Sequence, residues 1–101
     1  MNPFLIAMMS NPRAYLAHYH SLKGLHLLET DLRLAKNEFK TAYGYTGHPL
    51  HGLNYYQAML FNGEEDSTEA KVLKSRLEKL DMTAWYMACL STKLSDYRTA
   101  Y

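Results

Sequence analysis

A chain of 101 residues has room for one domain with a modest core. Apolar residues make up 48% and charged residues 21%, which excludes a disordered tail. A formal net charge of +1 argues against binding nucleic acid by neutralising many phosphates, and the single cysteine, Cys89, excludes an intramolecular disulfide and any cysteine cluster for a metal.

Residues 1–10 open the chain with an apolar run, Phe4 to Met9, behind Asn2-Pro3. The run lacks a basic leader and is short for a signal peptide, so no secretory signal is expected. No stretch approaches the roughly 20 apolar residues that span a bilayer. Cytoplasmic synthesis is expected; a final location is not specified.

Asn11-Pro12 places a good N-cap before a residue preorganised for the first helical turn. A long helix is predicted over residues 12–43, stopped by Gly44. Its heptad seam is Leu25, Leu28, Leu32, Ala35, Phe39 and Ala42. Upstream, Tyr15, Tyr19 and Leu22 lie one step off that seam. Gly24 inside the helix costs about 1 kcal/mol against alanine, and marks either a close neighbour or a bend.

The connector, residues 44–66, is too long for a tight helix–helix turn. Pro49, Leu50, Leu53, Tyr56 and Leu60 have helical spacing, so a short helix is predicted near residues 49–61, ended by Asn62-Gly63. A second long helix is predicted over residues 66–101, opened by an Asp66-x-x-Glu69 capping box. Its seam is Ala70, Leu73, Leu77, Leu80, Ala84 and Met87, with Leu94 beyond. At 1.5 Å per residue each long helix would reach about 50 Å. The predicted fold is therefore all-α, a single domain built as an antiparallel, coiled-coil-like hairpin with an N-terminal apolar segment and a short connector helix.

Large residues off the seams exceed what one hairpin partner covers, above all the run Ala84 to Leu90. Nine tyrosines and six methionines suit surfaces that pack after synthesis. The predicted interface is Phe4, Leu5, Tyr15, Tyr19, Trp85, Tyr86, Met87, Leu90, Leu94, Tyr97 and Tyr101. Residues 1–28 hold Arg13, Lys23, His18, His20 and His26 but no carboxylate, a polarity that reads first as a solvated face and second as a means of orienting a neighbour in an assembly.

Candidate chemistry is sparse. His48 and His51 flank Pro49 at i, i+3, but three or four convergent ligands are the norm for zinc. The five glycines form no phosphate-binding pattern, and neither Ser10 nor Ser91-Thr92 has a neighbouring base that would mark a nucleophile. Neither enzyme, cofactor nor metal is expected. The leading expectation is a structural subunit that packs with copies of itself, of filament, secretion-apparatus or virion type. The alternatives are a small chaperone or adaptor that binds a partner helix, and, more remotely, a histidine-based metal binder.

Overall fold

The computed structural model describes residues 11–80, and these are all-helical apart from turns. Four helices follow one another: α1 Pro12–Leu27, α2 Leu32–Thr46, α3 Pro49–Phe61 and α4 Thr68–Glu78. Predicted features at residues 1–10 and 81–101 lie outside the described residues.

The predicted helix over 12–43 is two helices. Asn11 caps α1 by accepting from the Ala14 N–H at 3.2 Å. The helix then stops at Leu27, and Thr30 and Asp31 donate their backbone N–H groups back to the Leu27 carbonyl. Asp31 starts a new helix, its carboxylate accepting from the Leu34 N–H at 3.1 Å. An aspartate bound to the N–H three residues on satisfies an otherwise orphaned donor, worth about 1 kcal/mol. The chain turns back through this break, and Arg13 near the start of α1 donates to the Tyr45 carbonyl near the end of α2 at 3.3 Å. The long-helix hairpin is thus replaced by shorter helices of 11 to 16 residues.

Other boundaries shift for local reasons. Gly44 lies inside α2, and the left-handed stop falls at Gly47, with φ 66° and its N–H on the Tyr43 carbonyl. The short connector helix forms at residues 49–61, as the spacing predicts, and His48 caps it by accepting from the Leu50 N–H. Gly63, at φ 74°, turns the chain beyond its end. Ser67, not Asp66, caps α4 by accepting from the Ala70 N–H at 3.1 Å. With the cap at Ser67, the position three residues on is Ala70, so no capping box forms, and Glu69 engages Tyr55 and Lys40.

The connector helix supplies the middle of the core among the described residues. Leu53, Tyr55, Tyr56, Ala58, Met59 and Leu60 of α3 are all buried. They meet Ala35 and Phe39 of α2 on one side and Ala70, Leu73 and Leu77 of α4 on the other. Of the first predicted seam, Ala35, Phe39 and Ala42 are buried and Leu28 and Leu32 are partly covered, but Leu25 is 49% exposed. Of the second, Ala70, Leu73 and Leu77 are buried, Leu80 is 44% exposed, and Ala84 and Met87 lie outside the described residues. Leu25 fails because α1 turns a different edge inward. Ala17, Ser21 and Gly24 are its buried residues, small ones that allow α2 to come close. A Cβ on Gly24 would sit 2.6 Å from the ring of Phe39. The apolar residues Tyr19, Leu22 and Leu25 consequently face outward.

Candidate functional site

Three features of the described residues are candidates for function. The first is a polar junction between α1 and α3. Ser21, only 6% exposed, lies with its Oγ 2.6 Å from Nδ1 of His51. The His48 ring packs edge-on to His51 at 5.8 Å between centroids. Burial holds the His51 imidazole below its ordinary pKa, and the neighbouring His48 and His18 add to that depression. A serine–histidine contact suggests nucleophilic chemistry, but a general base must become an imidazolium supported by a third group. The groups that act electrostatically on His51 are two further histidines, which oppose that charge. Ser21 is also enclosed between helices. The pair reads as a hydrogen bond that fastens α1 to α3.

The histidines suit a metal poorly for a related reason. Nδ1 of His48 accepts from the Leu50 N–H, so its proton belongs on Nε2, the atom a metal would need bare. Nδ1 of His20 lies 2.6 Å from Glu38, whose carboxyl is held below the usual range first by that bond. His20 also stacks on Tyr45. Among the described residues no group of three or more histidine, cysteine, aspartate or glutamate side chains is arranged to hold an ion.

The second candidate is the outer face of α1. Tyr19, Leu22 and Leu25 are each about half exposed, and Lys23 reaches over the Tyr19 ring at 5.7 Å. Of the predicted interface, Tyr19 falls on this face and Tyr15 is half-buried. Phe4, Leu5, Trp85, Tyr86, Met87, Leu90, Leu94, Tyr97 and Tyr101 lie outside the described residues.

The third candidate was not legible in the sequence. Helices α2 and α4 each pack against α3, and their own backbones stay apart, bridged by the Lys40–Glu69 ion pair. Between them runs an open groove of about 390 Å³, with Tyr43 and Gly44 on one wall, Val72 and Leu73 on the other, and Tyr55 of α3 at the base. Val72 is 46% exposed, so the groove presents an apolar side chain to solvent. Gly44 leaves its wall open, with no atom within 4 Å of where a Cβ would stand.

Charged groups border this apolar trough. The Tyr55 hydroxyl donates to Glu69, and Lys40 pairs with the same carboxylate at 3.1 Å. Burial, then the bond to Glu69, pushes the Tyr55 phenol far above its ordinary pKa, so it stays a donor. Glu69 is held below the usual carboxylate range, first by Tyr55 and then by Lys40. A second pair, Lys36 with Glu64 at 2.9 Å, ties α2 to the turn before α4, and Asn62 adds a bond at 2.8 Å to the same carboxylate. Arg76, on the groove wall two turns beyond Glu69, forms no ion pair among the described residues.

Family models, curated proteins and solved structures give no match to this chain. No helix among the described residues is long and apolar enough to cross a membrane.

Proposed function

We propose that this protein is a non-enzymatic helical interaction module, an adaptor or chaperone that receives a partner's amphipathic helix in the groove between α2 and α4. The observation that carries this reading is the groove itself: an apolar trough with an exposed Val72 and a rim of charge. Helix-in-groove recognition needs these parts, with apolar anchors supplying affinity and polar edges supplying register. The Tyr55–Glu69–Lys40 contacts support it by fixing the base and one end of the trough before a partner arrives.

Self-association as a structural subunit is the competing reading. It is favoured by the exposed stripe Tyr19, Leu22 and Leu25 on α1 and by the apolar run Ala84 to Leu90 in the sequence. It no longer draws on two rods of about 50 Å, because the first predicted rod folds back at Leu28–Asp31.

Light scattering over a wide concentration range, combined with two surface variants, separates the readings. The groove reading expects a monomer whose melting temperature rises when a helical partner is added. A ligand at a hundred times its Kd adds about 2.7 kcal/mol. Val72→Asp should abolish that rise, while the Leu22→Asp, Leu25→Asp double variant should not. A large particle that is dispersed by the α1 double variant and indifferent to Val72→Asp would refute the groove reading in favour of self-association.

A further inference from the structure

The groove has a direction, and its charges say what kind of helix it takes. The inference rests on the groove reading above and names the partner's chemistry. Three ionic side chains line the trough. Lys40 and Glu69 face each other across it at 3.1 Å and neutralise one another, and Glu69 is further held by the Tyr55 hydroxyl. Arg76 remains, on the same face of α4 seven residues later, about 10 Å along the axis, and no carboxylate among the described residues engages it. One end of the trough is therefore internally compensated, and the other carries a guanidinium that no carboxylate among the described residues neutralises. Val72 lies between them, one turn from each.

We infer that the occupant is an acidic amphipathic helix that sets an apolar side chain against Val72 and Tyr55 and a carboxylate against Arg76. A guanidinium is a planar fork that matches a carboxylate with two parallel hydrogen bonds, which fixes orientation as well as affinity. The apolar anchor and the carboxylate must lie three or four residues apart on the partner, because Val72 and Arg76 are four apart on α4. A basic helix is rejected, since its cation would meet Arg76, and the carboxylate in the trough, Glu69, is already held by Lys40 and Tyr55. The outward stripe of α1 in a second copy is a poor occupant, because it offers Lys23, His18 and His26 beside Tyr19, Leu22 and Leu25, and α1 holds no acid of its own.

The test uses the full chain and two synthetic helices that share one leucine face. One carries glutamates three and four residues from the central leucine; the other carries lysines there. Binding is read by calorimetry at moderate salt. The glutamate helix should bind the native protein, and the lysine helix should bind at least tenfold more weakly. Arg76→Gln should weaken the glutamate helix about tenfold, the size of a lost charge-assisted hydrogen bond. Arg76→Glu should reverse the preference, so that the lysine helix binds the variant better than the glutamate helix does. Arg76 is exposed, so circular dichroism and melting should be unchanged in both variants. Equal binding of both helices, or a glutamate helix indifferent to Arg76→Gln while Val72→Asp abolishes binding, overturns the acidic-partner inference and leaves the groove reading standing. Failure of both helices to bind overturns the two together.

Discussion

Gly24 and Gly44 are both helical glycines, and the structure assigns them opposite fates on replacement by alanine. At Gly24 an added Cβ would stand 2.6, 2.8 and 2.9 Å from three atoms of the Phe39 ring. Phe39 is 1% exposed and among the largest fully buried side chains, so the ring cannot swing into solvent to make room. Overpacking of this kind costs about 1–3 kcal/mol, against the roughly 1 kcal/mol that alanine gains over glycine in a helix. Gly24→Ala should therefore destabilise by about 1 kcal/mol, lowering Tm by roughly 4–8 °C for a domain of this size. At Gly44 nothing lies within 4 Å of the same atom, so only the gain remains. Gly44→Ala should raise Tm by a few degrees, for a gain of about 0.5–1 kcal/mol. Thermal unfolding followed by circular dichroism measures both. The reasoning predicts a difference of about 2 kcal/mol between two chemically identical changes. Equal shifts, or a Gly24→Ala protein more stable than the native one, would refute the close approach of α1 to α2.

Acidification supplies a second test. Because His51 is held below its ordinary 6.5 in the folded chain, the unfolded chain binds more protons just below that value. Stability is therefore full above about 6.5 and falls as pH drops through the folded value, well before the glutamates respond. Glu38, Glu64 and Glu69 all have lowered pKa values, so their contributions persist above 4.5 and fade only as pH falls below it. Denaturant midpoints measured from pH 8 to 5 should show the first loss, and His51→Gln should remove most of that slope. Asp31→Ala should cost about 1 kcal/mol by leaving the α2 N-terminus uncapped, seen as a lower denaturant midpoint with unchanged m-value. Lys36→Ala should also destabilise, by roughly 1 kcal/mol, because it leaves the half-covered Glu64 without its cation; titration of the variant should show the Glu64 carboxyl rising toward its ordinary range.

Periodicity made some of this architecture legible. The inward positions of α2 and α4 recur every three or four residues, and Ala35, Phe39, Ala42, Ala70, Leu73 and Leu77 are buried where that spacing puts them. The helix at residues 49–61 was legible from Pro49 and the Asn62-Gly63 stop. What the pattern concealed was the chain reversal, because Leu28 and Leu32 keep heptad spacing across it and both lie against the same core. The signal for the reversal was Thr30-Asp31, a capping pair without the glutamate three residues later that marks a capping box. The inner face of α1 escaped for a different reason. Close helix packing selects small residues, so Ala17, Ser21 and Gly24 define it, while apolar content pointed to Tyr15, Tyr19 and Leu22. The groove was not legible at all. It depends on α2 and α4 flanking α3 with their backbones held apart, a tertiary relation that no single helix pattern encodes.

The packing of α1 on α2, and with it the outward stripe of Tyr19, Leu22 and Leu25, follows from the reversal at Leu28–Asp31. Pulsed electron–electron spin resonance on nitroxides at Arg13 and Thr46 reports on it directly. Arg13 reaches the Tyr45 carbonyl in the folded chain, so a short separation, set mainly by the label tethers, is predicted. An unbroken helix between the two labelled positions would place them about 50 Å apart, and a distribution centred there would contradict the chain reversal and the helix packing built on it.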